Sequence, residues 1–135
     1  MTSKFPQDVV EEARRPYGDG SLASPRSTAR AENPLCGDEI DLDVDHDGDR
    51  VIQVAHRTRG CSFTRASAAL LARTVPGLEA ARARELCDTL RRDLGGPAEL
   101  PPEVAALASV RVYPARLRCA LLPWEALRSA LDPAR

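Results

Sequence analysis

Residues 39–54 constrain the fold most tightly. Ile40, Leu42 and Val44 alternate with Glu39, Asp41, Asp43 and Asp45; Asp47-Gly48 interrupts, and Val51, Ile52 and Val54 resume the extended pattern. Alternation with a period of two suits a strand with one dry and one wet face. Asp-Gly supplies the positive φ of a tight hairpin turn. The chain is therefore expected to form an antiparallel hairpin whose apolar face the other elements must cover. The same stretch contains Asp43-x-Asp45-x-Asp47-Gly48, which imitates the start of a calcium loop. Its twelfth position is Val54 where a bidentate glutamate is needed, so the reading is an acidic hairpin.

Helical spacing accounts for most of what surrounds the hairpin. Residues 4–15 place Phe5, Val9, Val10 and Ala13 on one face, with Glu11, Glu12, Arg14 and Arg15 outside. Residues 16–34, rich in Pro, Gly, Ser and charge, predict a surface connection with little regular structure. After Gly60, the run Cys61-Ser62-Phe63-Thr64 leads into a helix over Arg65–Thr74 that Pro76-Gly77 ends. A second helix spans Glu79–Leu94, with Leu78, Leu86, Leu90 and Leu94 on one stripe, and Gly95-Gly96-Pro97 stops it. Leu100-Pro101-Pro102-Glu103-Val104 reads as a helix start, giving a short helix over Glu103–Leu107 and then a strand over Val110–Tyr113. The last segment is helical by spacing. Pro123 cannot sit deep in a continuous helix, so the expectation is a short turn around Cys119 and a fresh helix with Pro123 in its first turn. This order predicts an α+β fold: a small three-stranded antiparallel sheet with helices packed on one side. Residues 1–135 are expected to form a single domain, with 1–30 as a variable N-terminal helix and loop.

Bulk properties exclude several functions. A formal net charge of −1 and 4% aromatic residues give no electrostatic or stacking case for nucleic acid. No stretch nears the length of a membrane span, and the start of the chain has no apolar leader, so the expected location is cytoplasmic.

Four cysteines (Cys36, Cys61, Cys87 and Cys119) lie 25, 26 and 32 residues apart. None forms a CxxC pair, so any shared site must be gathered by the fold from distant turns. Cys36 belongs to Asn33-Pro34-Leu35-Cys36-Gly37-Asp38, where a stiff turn delivers a thiol and, two residues later, a carboxylate. Alone, that hexapeptide favours the plainer reading of a small buried hydrophobe. The other cysteines shift the balance, because Cys36, Cys61 and Cys119 each fall where a regular element begins or ends. If the strands pair in one sheet, one edge presents all three thiols, and Asp38 completes the Cys₃Asp count of a tetrahedral ion. A helix N-terminus at Cys61 favours the thiolate. Cys87 lies mid-helix and is assigned to packing. Thr64 and Ser67 read as capping or packing residues, and His46 and His56 as solvent-facing or structural ones.

The segments NPLCGDEI, GCSFTRASAALLA and ARLRCALLPWEAL resemble the three cysteine blocks of the U-type iron–sulfur cluster assembly family, which includes IscU, the NifU N-terminal domain and SufU. The likeness runs from Asn33 to Leu131 and is greatest to the SufU branch. Arg118-Cys119 stands where the IscU branch has His-Cys, and the long stretch between Cys61 and Cys119 resembles the SufU insertion. The N-terminal block departs from the family, having Pro16-Tyr17-Gly18 where a His-Tyr-x-x-Pro type stretch is usual. The resemblance implies a SufE/IscU-like fold and zinc held through Cys36, Asp38, Cys61 and Cys119. It also implies that Cys36 accepts persulfide sulfur from a pyridoxal-phosphate cysteine desulfurase of the SufS type, for delivery to a downstream cluster scaffold or apo-acceptor protein. On that reading a partner group taking the place of Cys36 on the metal releases a ready thiolate, and Arg116 or Arg118 steadies nearby negative charge. Two alternatives remain: a non-enzymatic scaffold on which iron and sulfide build a [2Fe–2S] cluster, and a domain whose metal is purely structural.

Overall fold

In this computed structural model the described residues are 16–132; the helix expected over 4–15 lies outside them. Strands β1 (Ser27–Asn33), β2 (Asp38–His46) and β3 (Val51–Arg59) pair antiparallel in sequence order. The β2–β3 hairpin is the one expected from alternation. Asp47 closes it, its Oδ1 accepting the N–H groups of Asp49 and Arg50 at 3.0 and 2.8 Å. Register sets Ile40 opposite Ala31 and Thr58, Leu42 opposite Ala29 and His56, and Val44 opposite Ser27 and Val54. These residues share the face on which the helices α1 (Ser62–Thr74), α2 (Ala80–Asp93) and α3 (Leu117–Leu131) build the core. The opposite face is charged: Arg30 bridges Glu32, Glu39 and Asp41 across β1 and β2.

Two expectations about the sheet are overturned. Residues 27–33, read as part of an irregular connection, are strand β1, and Val110–Tyr113 is not a strand. The apolar core-facing side chains of β1 are only Ala29 and Ala31, too small to announce a buried strand by hydrophobicity, although their smallness suits close packing of α3 across the sheet. Residues Pro102–Val112 instead wind as a 3-10 helix. Its buried residues, Val104, Leu107 and Val110, recur every third position. That matches a helix of three residues per turn, in which i and i+3 eclipse. Such helices are rarely this long, and this one is pinned at both ends. Arg82 grips Glu103 near its start, and the Arg111 guanidinium donates to the carbonyls of Asp93, Leu94 and Ala98 near its end.

The expected break at Cys119 is also absent, since α3 runs unbroken through Pro123. An interior proline costs about 3 kcal/mol and leaves the carbonyl four residues earlier, that of Cys119, without its helical donor. Burial of Trp124, Leu127 and Leu131 on the same helix offsets this, at about 1.5–3 kcal/mol per large side chain. A buried relay adds to it. Trp124 Nε1–H donates to Ser67 Oγ at 3.0 Å, and the Ser67 hydroxyl donates to the Ala120 carbonyl at 2.6 Å, tying the first turns of α3 to α1.

Residues 16–22 strap the outer edge of β3. His56 N–H donates to Gly18 O and Gly20 N–H to His56 O, both at 2.9 Å. His56 itself is fully buried and structural. Its Nε2–H donates to the Tyr17 carbonyl and its Nδ1 accepts from the Thr58 hydroxyl, both at 2.8 Å. Burial holds its pKa below the usual imidazole range. Asp43, which alternation places on the wet face, is nearly buried beneath this strap, paired with Arg57 and accepting the Leu22 N–H.

Candidate metal centre

The Asn33–Gly37 turn is built around one residue, Asn33, through its backbone carbonyl and its side-chain amide. The Asn33 carbonyl accepts the N–H groups of Cys36 and Gly37 at 3.1 and 2.9 Å, and its Oδ1 accepts the Leu35 N–H at 3.2 Å. Its Nδ2 points a donor at Cys36 Sγ, 3.4 Å away. Gly37, at φ +75°, takes the left-handed conformation that lets the chain leave this turn directly into β2. Leu35, 83% exposed, and the exposed Cys36 thus stand at the tip of the turn.

Asp38 opens β2 in phase with Ile40, so its carboxylate points to the core side and is only 3% exposed. Buried carboxylates need donors. Oδ1 accepts the Cys61 N–H at 3.2 Å, and Oδ2 accepts the Thr64 hydroxyl at 2.7 Å. Gly60 leaves room for this arrangement, since a Cβ there would lie 2.6 Å from Asp38 Oδ1. Cys61 is the N-cap of α1, with its Sγ 3.5 Å from Thr64 Oγ1. Cys119, fully buried, is the third residue of α3.

One ligand atom each from Cys36, Asp38 and Cys119 lie within 4.8 Å of one another. Cys61 stands beside this trio, close enough to Cys119 to hydrogen-bond with it, though outside the trio's mutual span. Burial pushes the Cys119 thiol up to about 12, with hydrogen bonds that the thiol donates towards Asp38 and Cys61, and their negative charges, adding to the shift. The Arg116 guanidinium is raised chiefly by a hydrogen bond to Cys119, then by the charges of Cys61, Cys119 and Cys36. Among the described residues this is the one group of three or more such side chains close enough to share an ion. The donor chemistry, soft sulfur plus carboxylate, fits zinc or iron. Donors around a tetrahedral zinc with bonds of about 2.3 Å are about 3.8 Å apart, so closing a 4.8 Å span needs a shift of about 1 Å.

Of the residues singled out from sequence, Cys36, Asp38 and Cys119 cluster, Cys61 adjoins them, and Arg116 faces their charge. Arg118 is exposed and lines a shallow groove with Glu32, Asn33 and Pro34. Cys87 is packed in the core, its thiol pushed up to about 12 by burial and, secondarily, by Asp88. His46 lies at the hairpin, bonded to Ser27 Oγ. Thr64, read as a cap or packing residue, makes no cap bond and instead holds Asp38; Gly60 and Asn33 carry roles that sequence reasoning missed. The available signal for Thr64 was its place three residues after Cys61 on an alanine-rich helix, where a buried hydroxyl needs a partner.

Residues 4–132 match the model of the NifU-like N terminal domain. The chain is 32% identical over 127 residues to the iron–sulfur cluster assembly scaffold protein IscU of Streptococcus pyogenes serotype M1, covering 91% of this chain and 79% of that protein. It is 29% identical to the zinc-dependent sulfurtransferase SufU of Bacillus subtilis, covering 97% and 91% respectively. The crystal structure of a NifU-like N-terminal protein from Brucella abortus superposes with a TM-score of 0.79 at 28% identity, over 93% of this chain and 90% of that one. The chain belongs to the NifU-like N terminal domain family.

Proposed function

Because the chain is a NifU-type domain, we propose that it is a zinc-bound sulfur acceptor of iron–sulfur cluster biogenesis. In this reading Cys36, Asp38, Cys61 and Cys119 hold the ion, and Cys36 takes sulfur from the persulfide of a cysteine desulfurase. The observation that carries the reading is the convergence of Cys36, Asp38 and Cys119 beside Cys61 and Arg116. Zinc, when bound, supplies the positive charge that keeps the donor sulfurs deprotonated at neutral pH without redox chemistry of its own. Cys36 is the nucleophile because it alone of the clustered cysteines sits on an exposed turn. Its thiolate attacks the outer, sulfane sulfur of the partner's persulfide. The partner's S–S bond breaks, its cysteine leaves as a thiolate, and a persulfide forms on Cys36 with no net oxidation. Asn33 Nδ2–H orients the attacking sulfur, and Arg116 lowers the repulsion between an anionic persulfide and the anionic site. Asp38 and Cys119, buried, stay in place during the transfer.

The similarity to a protein named as a cluster scaffold favours a second reading, in which the same donors carry a nascent [2Fe–2S] cluster. Protein purified without oxygen separates the two: a colourless preparation with one zinc per chain supports the acceptor, and a brown one with iron and sulfide the scaffold. Cys36→Ala should keep the fold and abolish stimulation of desulfurase turnover. Persistent stimulation would end the acceptor assignment.

A further inference from the structure

We infer that Thr64 is a positioning residue that locks Asp38 and Cys61 into one rigid unit of the metal site. The inference rests on the metal-centre reading above and adds a residue outside the donor set.

Thr64 Oγ1 lies 2.7 Å from Asp38 Oδ2 and 3.5 Å from Cys61 Sγ, so one hydroxyl touches a donor from β2 and a donor from the start of α1. Thr64 and Asp38 are both buried. The hydroxyl has one proton, and the short contact to a carboxylate, an acceptor only, assigns that proton to Asp38. The second clamp on Asp38 comes from the same helix end, through the Cys61 N–H on Oδ1. Each carboxylate oxygen therefore has one donor from α1, the Cys119 thiol approaches as a third partner where a cation would bind, and the plane of the group is fixed from the helix side. Removing the hydroxyl takes from buried Oδ2 its short hydrogen bond to α1, and frees the carboxylate to rotate about its terminal torsion.

Packing alone does not explain a threonine here, because valine would fill the same volume. Helix capping does not either, since the N-cap Cys61 has no side-chain cap bond. The asymmetry this creates falls within the donor set. Asp38 and Cys61 are bolted to each other through α1, Cys119 is buried in α3, and Cys36 is left on its exposed turn. Thr64 thus fixes the donors that stay while Cys36 reacts.

The test uses full-length protein, stripped of metal under reducing conditions and titrated with cobalt(II), then with zinc in competition with a chromophoric chelator. Wild type, Thr64→Val and Thr64→Ser are compared, with urea midpoints of the metal-free forms as the check on folding. Outer-shell partners of metal ligands are typically worth about 10–100-fold in affinity. Thr64→Val should weaken zinc by about tenfold or more and alter the cobalt d–d envelope, while Thr64→Ser stays within about threefold of wild type with its spectrum intact. Should the valine variant fail to fold, Thr64→Ala removes the hydroxyl without adding a second methyl and is read the same way. A valine or alanine variant with wild-type affinity and an unchanged spectrum overturns the assignment while leaving the metal centre standing. Wild-type protein lacking the cobalt–thiolate charge-transfer bands overturns the metal reading, and the role of Thr64 with it.

Discussion

Gly60→Ala puts the geometry of the site under direct load. A Cβ at this position falls 2.6 Å from Asp38 Oδ1, 2.9 Å from its Cγ and 3.2 Å from its Cβ. Ordinary carbon contacts begin near about 3.5 Å, so the carboxylate must retreat by most of an ångström. It has little room, being 3% exposed and clamped by Cys61 N–H and the Thr64 hydroxyl. Overpacking costs about 1–3 kcal/mol, and weakening a hydrogen bond to a charged group costs about 1.5–3 more. Loss of glycine's freedom in the unfolded chain returns about 0.4–1 kcal/mol. The expected net loss is about 1.5–5.5 kcal/mol, read as a lower urea midpoint of the metal-free protein at unchanged m. The decisive comparison is the same change made in an Asp38→Ala background. There only the 3.2 Å Cβ contact remains, and the cost should drop to about 1 kcal/mol or less. Equal costs in the two backgrounds, within about 0.5 kcal/mol, would place the strain elsewhere and refute the reasoning.

Two further outcomes follow from burial. His56 has a folded pKa below its unfolded one, so its contribution is complete above about pH 6.5 and is lost as the pH falls below that value. Wild type should lose more stability between about pH 7.5 and pH 5.5 than His56→Gln, whose amide can still donate to the Tyr17 carbonyl; parallel urea midpoints would contradict this. In metal-free native protein, iodoacetamide should modify the exposed Cys36 first. Cys87, with its thiol pushed from 9.0 to about 12, has about a thousandfold less thiolate than an ordinary thiol and should react only once urea opens the core. Peptide mapping that finds Cys87 labelled as early as Cys36 would show that the α2 core is open.

Patterning revealed the elements whose side chains differ strongly between faces. The β2–β3 hairpin and the leucine stripe of α2 were visible because large apolar groups mark one side and charge the other. β1 was hidden because alanine does its packing, and alanine carries little period-two contrast. Val110-Arg111-Val112 looked like a strand because branched residues two apart mimic alternation, whereas the buried set recurs every three. Pro123 was misplaced because a local rule was applied where burial of Trp124 and Leu127 outweighs it. The proposed donors were picked out by their positions at element ends, and Cys36, Asp38 and Cys119 converge despite an error in the elements: Cys119 arrives on a helix start rather than after a strand. Gly60 was not legible, because it acts on a neighbour in space that no local spacing reveals, and for Thr64 spacing marks only a buried hydroxyl in need of a partner, not that the partner is Asp38.

The turn at Asn33 sets how often the site loosens unaided. To swing Cys36 outward, the molecule surrenders the Asn33 amide contact and the two turn bonds to the Asn33 carbonyl, leaving every helix and strand intact. At about 0.5–1.5 kcal/mol net per neutral bond, that excursion costs a few kcal/mol, which corresponds to a standing minority of roughly 0.1–10% of molecules. To displace Cys119 by the same distance, the first turn of α3 must melt and the Ser67–Ala120 bond must break. The Cys36 thiol therefore moves at far lower cost than the Cys119 thiol, on a body that has no need to open.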